Sequence, residues 1–579
     1  MFEGYRKIGW HIRKEKKMYR IAFPLLILSD LLILAPPRLM SLLIDALSKG
    51  TATVDGLVKV VGLIVLATVL NYVLSYLWQM HLWNASDTLG ATLRSKLMEH
   101  FFTEDPVFYE RFGSGDLMNR VTGDIDSVTE MAGFGVMCIA DGIVMPIFLV
   151  IVMIATTSWK LTLASIAPFL LLFYGTKQLG NVAYKRYRAA EEAKSDLNDL
   201  VVENVEGVRV VRAFGTEERE KVKFARRAHV IYDRNIAALR LSALFFPAAR
   251  IIATLSYIVA LLYGAALLRQ GQITLGSLLA FMLYVGQFTW PMFALSEIVN
   301  TQSRGKAGLD RIEQVLRAPA PDWTSGKPLD AFASFEMRDY DFTYPSSDHK
   351  NLEDITLTIG RGMTVGIVGR TGSGKSTLID QFLRFYPNEK SYLVNGEPVE
   401  HFSVESQRAK IGLVTQENII FSKTVLENIK LARPDATEEE VQAAILAADF
   451  AKDIPQLKDG LDTLAGEKGV SLSGGQKQRI SIARALLTEP EILILDDALS
   501  AVDAQTEKNI LTSLRRERAG MTNLIVSHRL SAVKDADLIL VMEHGRIIDR
   551  GTHDELVKRP GYYQEEYKLQ EMEAMTIEA

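Results

Sequence analysis

The first half of this chain is built from long apolar windows, and these limit its fold more than any other feature. Six windows are long and apolar enough to cross about 30 Å of hydrocarbon, which takes roughly 20 helical residues. They lie near residues 20–45, 57–82, 130–157, 160–180, 243–268 and 275–300. The sequence therefore predicts a membrane α-helical bundle of six spans over residues 1–320, with the lipid bilayer around it.

The connections between these windows alternate in length. Those after the first, third and fifth windows are short, whereas those after the second and fourth hold roughly 50 to 60 residues, a length that lets helices project beyond the bilayer. Basic residues near span ends indicate the cytoplasmic side, and they cluster between Arg6 and Arg20 and again at 185–188. We therefore expect the N terminus and both long connections to be cytoplasmic. The short turns at 158–160 and 269–274 should face outside.

The N-terminal segment and the single cysteine narrow the cellular setting. The basic segment RKIGWHIRKEKKMYR runs into an apolar stretch that is too long for a signal peptide and lacks a small-residue cleavage site, so the spans themselves should direct the chain to the membrane. Because Cys138 is the single cysteine of the sequence, a disulfide framework and a cysteine-based metal site are excluded. This fits a bacterial or reducing setting. The net charge of -5 says little about partners, and we expect no nucleic acid among them.

The pattern changes after about residue 320. A chain of 579 residues is too long for one compact core. Pro319, Pro321 and the polar stretch DWTSGKP indicate a linker. Beyond it, short β-branched runs alternate with helical segments, which is typical of an α/β nucleotide-binding domain. We therefore predict two domains, a membrane domain over 1–320 and a nucleotide-binding domain over 321–579.

The stretch GRTGSGKS, residues 369–376, fits the phosphate-loop pattern G-x-x-x-x-G-K-[ST] in full. It follows the strand-like run TVGIVG and precedes the helical run TLIDQFLRF, a context in which glycines let backbone N–H groups surround phosphate oxygens at a helix N terminus. Lys375 should reach the β- and γ-phosphates, and the Ser376 hydroxyl should bind Mg²⁺. The predicted nucleotide-binding residues of this segment are Gly369, Arg370, Thr371, Gly372, Ser373, Gly374, Lys375, Ser376 and Thr377.

Two further stretches add a metal ligand and a second phosphate cradle. ILILD, residues 492–496, is a buried-strand run that places the Asp496 carboxylate at the carboxyl edge of a parallel sheet, which makes it a Mg²⁺ candidate. LSGGQKQR, residues 472–479, opens a helical run and offers a hydroxyl, bare amides and a helix N terminus. Its predicted binding residues are Ser473, Gly474, Gly475 and Gln476. One nucleotide does not need two cradles in one subunit, so the second cradle should belong to a site shared across a dimer.

Residues 335–560 resemble the nucleotide-binding domain of ATP-binding-cassette (ABC) transporters. The resemblance rests on the phosphate loop, the LSGGQ signature and the aspartate-ending strand, together with FTYP at 342–345, VTQE at 414–417, LAGEKG at 464–469, SAVD at 500–503 and VSHRL at 526–530. It implies that Tyr344 stacks on the adenine of ATP and that Gln416 and His528 are catalytic residues. It also implies that Gln416 joins Ser376 and Asp496 as a Mg²⁺ ligand.

The resemblance covers nearly the whole chain. Residues 108–128 and 207–220 are similar to the cytoplasmic loops through which the membrane domains of B-type (type IV) exporters dock on their cassettes. The implied architecture is the type I ABC exporter fold, in which six transmembrane helices are fused to one α/β P-loop cassette. Because the family needs two cassettes to sandwich two ATP molecules, the expected partner is a second ABC half-transporter.

Asp497 decides which dimer to expect. Family members with a competent site carry Glu at this position. The aspartate side chain is shorter, so its carboxylate reaches about 1 Å less far than that of Glu, and a misplacement of that size can slow catalysis on the order of a hundredfold. Catalysis in this chain's own site should therefore be slow, while its intact signature completes the partner's site. The chain resembles the degenerate half of the heterodimeric multidrug exporters of Gram-positive bacteria. The alternative, in which Asp497 is a weaker base in a working homodimer, stays open because His528 is retained.

Ionisable residues inside the spans are candidates for cargo contact, since they are costly to bury in lipid. Those that qualify are Asp30, Arg38, Asp141 and Glu297. Arg38 and Glu297 are predicted to be structural or interfacial, whereas Asp141 suits either cargo contact or a pair inside the bundle. The last span carries soft and aromatic side chains that suit an adaptable pocket for apolar or cationic compounds, or equally lipid-facing packing. They are Phe281, Met282, Tyr284, Phe288, Trp290, Met292 and Phe293.

The predicted function is ATP-driven export of hydrophobic or amphipathic drugs, some of them cationic, across the bacterial cytoplasmic membrane. The ATPase of the lone chain is expected to be weak. The alternatives are a homodimeric lipid flippase and an ATP-gated sensory subunit. Short external loops offer no large receptor surface, which disfavours the sensor.

Overall fold

The computed structural model describes residues 3–386, 392–517 and 520–578. Within these ranges it leaves out the side chains of 170–181, 183, 184, 242, 245, 246, 249, 296, 468, 517 and 573–578. The chain divides into two compact units. One comprises Met1–Glu99 and Ser114–Ala318, and the other comprises His100–Gly113 and Pro319–Ala579. We call the segment His100–Gly113 the connector; it belongs to the same unit as the C-terminal half.

The described residues of the first unit form helices joined by short turns. The helices are Glu3–Lys7, Gly9–Lys14, Lys16–Leu32, Ala35–Ser48, Val54–Thr103 (which ends in the connector), Ser114–Asn119, Arg120–Asp124, Ile125–Ala132, Phe134–Ile139, Ala140–Val144, Met145–Thr156, Trp159–Glu206, Val208–Ala213, Glu217–Ser242, Phe245–Arg269, Leu275–Gln287 and Thr289–Leu316. Arg120–Asp124 and Ala140–Val144 are π-helical turns.

Five helical segments among the described residues are long and apolar enough to cross a membrane. They are Lys16–Ser48, Val54–Thr103, Ser114–Thr156, Arg250–Arg269 and Leu275–Leu316. Each overlaps one of the predicted windows. The remaining window, 160–180, falls on the helix Trp159–Glu206, where the side chains of 170–181 lie outside the described residues.

Prolines lie at or near some of the breaks in these spans. The first span consists of two helices, because Pro36 and Pro37 have no backbone N–H for helix bonds and are accepted only in the first turn of Ala35–Ser48. In the third span, the π-helical turn Ala140–Val144 is followed by the helix Met145–Thr156, whose second residue is Pro146. Such turns recur at functional sites. This one carries Asp141.

The described residues of the second unit contain two sheets. The strands are β1 (Ser334–Phe342), β2 (Leu352–Gly360), β3 (Thr364–Gly369), β4 (Leu393–Val394), β5 (Glu397–Pro398), β6 (Ile411–Val414), β7 (Ile492–Asp496), β8 (Thr522–Val526), β9 (Leu538–Glu543) and β10 (Arg546–Gly551). The antiparallel sheet has the order β2-β1-β4-β5. The larger sheet has the order β10-β9-β3-β8-β7-β6 and is parallel apart from its β9–β10 edge.

Strand β7 explains why an unbroken apolar run forms a strand here. Ile492 and Ile494 pack into the core on one face of the sheet, whereas Leu493 and Leu495 pack into the core on the other face. All four side chains are at most 1% exposed. The strand therefore delivers Asp496 to the carboxyl edge of the sheet, the edge at which β3 also ends and where ligands of α/β sheets bind.

Several helices of the second unit pack against these sheets. Its α-helices are Pro106–Arg111, Lys375–Leu383, Val404–Arg408, Val425–Ile429, Glu438–Ala447, Gly474–Leu487, Ala504–Glu517, His553–Leu556 and Tyr562–Glu578. Its 3₁₀ turns are Val399–His401, Lys430–Ala432, Ile454–Gln456, Gly460–Asp462, Glu467–Gly469 and Leu530–Ala532.

Candidate nucleotide-binding site

The loop between β3 and the helix Lys375–Leu383 takes a conformation that glycine makes possible. Gly369 has a φ of 152°, and a Cβ atom at this position would lie 2.2 Å from the carbonyl oxygen of Met542. Gly374 has a φ of 99° and forms the N-cap of the helix. Because side chains are strained at such angles, the two glycines let the backbone turn sharply into the helix N terminus. That N terminus is suited to bind phosphate.

Lys375 lies at the centre of this loop and is buried, with 7% of its surface exposed. Its Nζ atom donates hydrogen bonds of 2.9 Å to the carbonyl oxygens of Gly369 and Arg370. Burial lowers the pKa of Lys375, and the carboxylates of Asp496 and Asp497 act in the opposite direction. The ammonium group is thus held inside the loop, next to the position that an anion would take.

A cavity of about 270 Å³ lies over the loop and brings most of the predicted residues together. Its lining includes Thr371, Gly372, Ser373, Gly374, Lys375, Ser376, Thr377, Gln416, Asp496, Asp497 and His528. Asn351 and Val526 complete it. The sequence reasoning missed Asn351, which has no motif signal because only the tertiary fold brings its loop to the cavity.

The two adjacent aspartates occupy different backbone environments. Asp496 is the last residue of β7, and its carboxylate lines the cavity together with Ser376. Burial raises the pKa of Asp496, and the nearby Ser376 hydroxyl acts in the opposite direction. Asp497 has a φ of 49°, in the left-handed region that aspartate tolerates better than most side chains. Its N–H donates to the carbonyl oxygen of Val526 at 3.0 Å, which fixes the turn after the strand.

The oxygen ligands around the cavity fit a hard cation. Ser376, Asp496 and Gln416 all line this cavity. Mg²⁺ bound with a nucleotide typically takes one or two carboxylates together with phosphate oxygens and water. A hydroxyl, a carboxylate and an amide oxygen are sufficient for that arrangement.

Tyr344 lies beside the phosphate loop but is not among the residues that line the cavity. Its hydroxyl hydrogen-bonds Thr377 Oγ1 at 3.1 Å and Asp380 Oδ2 at 3.2 Å. Its ring packs edge-on against Tyr386, with 4.9 Å between ring centroids. Burial raises the pKa of Tyr344 to about 12 and that of Asp380 to about 6. Adenine stacking by Tyr344 stays a prediction.

The connector makes hydrogen bonds next to Tyr344. Asp105 caps the connector helix Pro106–Arg111 by accepting a hydrogen bond from the Phe108 backbone N–H. Glu110 accepts hydrogen bonds from the Tyr386 hydroxyl at 3.1 Å and the Ser346 hydroxyl at 3.2 Å. A continuous series of contacts therefore runs from Glu110 through Tyr386 to the tyrosine beside the phosphate loop. The connector contains the beginning of the predicted docking stretch 108–128, up to Gly113.

The signature residues do not line this chain's own cavity. Ser473 is exposed and begins the helix Gly474–Leu487 with a capping box, in which its Oγ accepts from Gln476 N at 3.3 Å and Gln476 Oε1 accepts from Ser473 N at 2.9 Å. A buried, bidentate ion pair between Arg479 and Asp453, with distances of 2.7 and 2.6 Å, holds the helix in place. The helix is thus anchored by this ion pair, and its N terminus is open to solvent.

A second cavity, of about 930 Å³, lies in the first unit. Of the ionisable residues predicted inside the spans, Asp30, Asp141 and Glu297 line it and Arg38 does not. Of the aromatic and methionine residues in the last span, Trp290 and Phe293 line it. Phe281, Tyr284 and Phe288 are instead at most 3% exposed within a helical core, and the remaining two, Met282 and Met292, do not line the cavity.

Comparison with known proteins decides the family. Residues 19–292 match the ABC transporter transmembrane region, and residues 352–500 match the ABC transporter domain. Over 575 residues the chain is 42% identical to the probable multidrug resistance ABC transporter ATP-binding/permease protein YheI of Bacillus subtilis, covering 99% of this chain and 98% of that protein. The chain is an ABC transporter. Its ATPase is coupled to transport, and it is a multi-pass membrane protein.

Other similar proteins are named either as multidrug resistance-like proteins or as lipid flippases. The transporter is 38% identical to the multidrug resistance-like ATP-binding protein MdlA of Escherichia coli, over 99% of its own length and 98% of that protein. It is 34% identical to the ATP-dependent lipid A-core flippase of Aromatoleum aromaticum, over 91% of its own length and 88% of that protein.

A solved structure confirms the predicted fold class. The structure of a bacterial Atm1-family ABC exporter with ATP bound superimposes with a TM-score of 0.81 and is 26% identical in sequence. The match covers 96% of this transporter and 99% of that chain. The transporter therefore has the type I ABC exporter fold, a helical membrane domain fused to a nucleotide-binding domain, and its cassette binds ATP.

Proposed function

We propose that this ABC exporter moves hydrophobic or amphipathic drugs out of the bacterial cytoplasm as one half of a heterodimer. The observation that carries the cargo class is the 42% identity with a probable multidrug resistance transporter over nearly the whole of both chains. In this proposal, the cassette and the N terminus lie on the cytoplasmic side. The basic residues before the first span support that orientation.

Asp497 supports the heterodimer. Its carboxylate lines the same cavity as Lys375, Ser376 and His528, at the position where a general base would act on the attacking water. An aspartate reaches about 1 Å less far than a glutamate, and a misplacement of that size costs on the order of a hundredfold in rate. Two such sites in a homodimer would make a slow transporter. With a competent partner, the exposed signature of this chain completes a fast site instead.

The chemistry of the site is positioning and electrostatics on the γ-phosphate, without a covalent protein intermediate. The phosphate-loop amides and Lys375 bind the β- and γ-phosphates, and His528 lies at the cavity wall near Asp496. Mg²⁺, held by Ser376, Gln416 and Asp496, would neutralise charge on the phosphate oxygens. ATP binding closes the two cassettes, and the connector passes that movement to the spans.

A homodimeric lipid flippase is the second candidate. Its support is the 34% identity with a lipid A-core flippase over 91% of this transporter. In that hypothesis, Asp497 acts as a weaker base in two equal sites. Hydrolysis in such sites is possible because His528 is retained in the same cavity.

Vesicle assays separate these candidates. Inside-out vesicles containing the transporter, alone or with its partner half, would be given a fluorescent drug and ATP, with Lys375→Ala in both the lone chain and the pair as the inactive control. The proposal predicts ATP-dependent dye accumulation by the pair. ATP-dependent movement of labelled lipid by the lone chain, without dye accumulation by either preparation, would instead establish the flippase.

A further inference from the structure

The cavity in the membrane unit has an unusual distribution of charge. Its acidic lining residues are Asp30, Asp141 and Glu297, which come from three separate spans. Its described lining includes no lysine, arginine or histidine. Aromatic and apolar side chains make up much of the remaining wall, among them Trp78, Phe134, Trp290, Phe293, Ile33 and Met145.

Two oxygen atoms in the cavity wall accept no hydrogen bond from the described residues of the protein. Asp30 Oδ2 is buried and has no hydrogen-bond partner, and neither has the buried Gln287 Oε1. Both residues line the cavity. Asp141 differs, because its Oδ2 accepts a 2.7 Å hydrogen bond from Trp290 Nε1. That bond fixes one carboxylate at the cavity wall and places an indole ring beside it.

Unpaired acceptors of this kind are costly in a membrane. A buried carboxylate without a partner is strongly disfavoured, and ionisable groups inside spans persist where they face a cavity or a ligand. A cation entering the cavity would supply the missing charge to Asp30 and Asp141, and the indole and phenyl faces would attract the same charge. An anion would meet three carboxylates and no positive side chain of the described lining.

We propose that Asp30 and Asp141 are the counter-ions of a cargo site that selects organic cations with a flat aromatic body. The site rests on the proposed export function and gives it a charge preference. Asp30 pairs with the cationic centre, Asp141 is oriented by Trp290, and Trp78 and Phe293 cover the apolar part of the cargo. Cargo of the same shape without the charge binds more weakly.

Two compounds that share a ring system provide the test. Ethidium is a permanent cation, and 6-phenylphenanthridine has the same rings and is uncharged at neutral pH. Binding of each to the full-length transporter, without ATP, would be followed by quenching of tryptophan fluorescence. The variants are Asp30→Asn and Asp141→Asn. The matched control is Asp55→Asn, since Asp55 is exposed and does not line the cavity.

The proposal predicts that each cavity variant weakens ethidium binding at least about tenfold, which corresponds to about 1.4 kcal/mol, and leaves 6-phenylphenanthridine within about twofold. Asp55→Asn should change neither. Equal ethidium affinity in a folded cavity variant, or equal loss of both compounds, would overturn the assignment.

A measurement on the unmodified transporter keeps the test independent of folding in the variants. Tetraphenylphosphonium and tetraphenylborate have nearly the same size and opposite charge. The cation should displace bound ethidium and the anion should not, whereas displacement by both would refute charge selection. ATP-dependent uptake by the wild-type transporter assembled with its partner half separates this proposal from the export function. If the pair transports neither ring compound, the export function fails. If the pair transports both compounds and Asp30→Asn in this chain leaves both rates equal to those of the wild type, only the cation site fails.

Discussion

Replacing Ser473 by alanine separates two roles of the signature serine. The first role is structural, because Ser473 Oγ accepts from Gln476 N at 3.3 Å at the start of the helix Gly474–Leu487. Alanine removes this bond but leaves the reciprocal bond from Ser473 N to Gln476 Oε1, so the loss should be about 1 kcal/mol. For a domain of this size that loss lowers Tm by about 2–4 °C.

The second role is in a site outside this chain's own cavity. If the exposed Ser473 hydroxyl completes the partner's ATP site, alanine removes one preorganised donor to the γ-phosphate. Removing a comparable donor slows catalysis on the order of a hundredfold. We therefore expect ATPase activity of the dimer to fall far more than its Tm suggests. Steady-state phosphate release, measured with thermal unfolding on the same preparation, gives both quantities.

Thr437 provides the matched control. It begins the helix Glu438–Ala447 with the same capping box, accepting from Glu440 N at 3.3 Å. Thr437→Ala should lower Tm by a similar amount and leave ATPase activity within about twofold. If Ser473→Ala and Thr437→Ala reduce activity equally, the serine is only a helix cap and the shared-site reasoning is wrong.

Three further variants test other parts of the account. Gly369→Ala should abolish retention on immobilised ATP, because its Cβ would lie 2.2 Å from the Met542 carbonyl oxygen. The pKa of Asp380 rises from 3.8 to about 6 on folding, so the folded state binds the proton more tightly than the unfolded state. The free energy of unfolding of the wild type should therefore fall by roughly 3 kcal/mol as the pH rises through this window, when Asp380→Asn is taken as the reference. Tyr386→Phe removes the hydroxyl bond to Glu110 and should reduce transport per ATP severalfold while ATPase activity persists.

For each of these three variants, one experimental result would contradict the prediction. Gly396→Ala also places a side chain at positive φ but meets no atom within 4 Å, so retention on ATP as poor as that of Gly369→Ala would contradict the clash argument. Parallel stability curves for Asp380→Asn and the wild type would mean that the carboxyl group has an ordinary pKa. Tyr109→Phe removes a hydroxyl bonded within the connector, to Phe101 O, and equal uncoupling by that variant would exclude a specific role for Tyr386.

The phosphate loop and the spans follow from local sequence. The positive φ values at Gly369 and Gly374 are accessible without strain only to glycine, so the motif itself encodes the turn. The spans follow from hydropathy over about 20 residues. Asp496 follows from its place after a run that is buried on both faces.

Contacts that depend on tertiary packing were beyond such reasoning. Asp30 and Asp141 are distant in the chain, and only the bundle brings them to one cavity. The bond from Trp290 to Asp141 depends on the π-helical turn that presents the carboxylate. Tyr344 was predicted from its motif, but its hydroxyl bonds to Thr377 and Asp380 have no signal in the sequence.

The connector is a similar case. The sequence predicts that residues 108–128 dock on a cassette, yet no shift in composition marks His100–Gly113 as part of the C-terminal unit. Its place depends on bonds such as those of Glu110 with Tyr386 and Ser346, which join residues more than two hundred positions apart.

The most direct test of the central claim is the ATPase activity of this transporter purified alone and with its partner half, each with and without Asp497→Glu. We predict that the lone chain is nearly inactive and that the pair is active. In a dimer of the lone chain, Asp497→Glu should raise ATPase activity on the order of a hundredfold, because Glu restores the reach of the base. The left-handed backbone at Asp497 makes Glu somewhat less favourable but leaves the cavity intact. A lone wild-type chain that hydrolyses ATP as fast as the pair would show that Asp497 is an adequate base and would contradict the heterodimer.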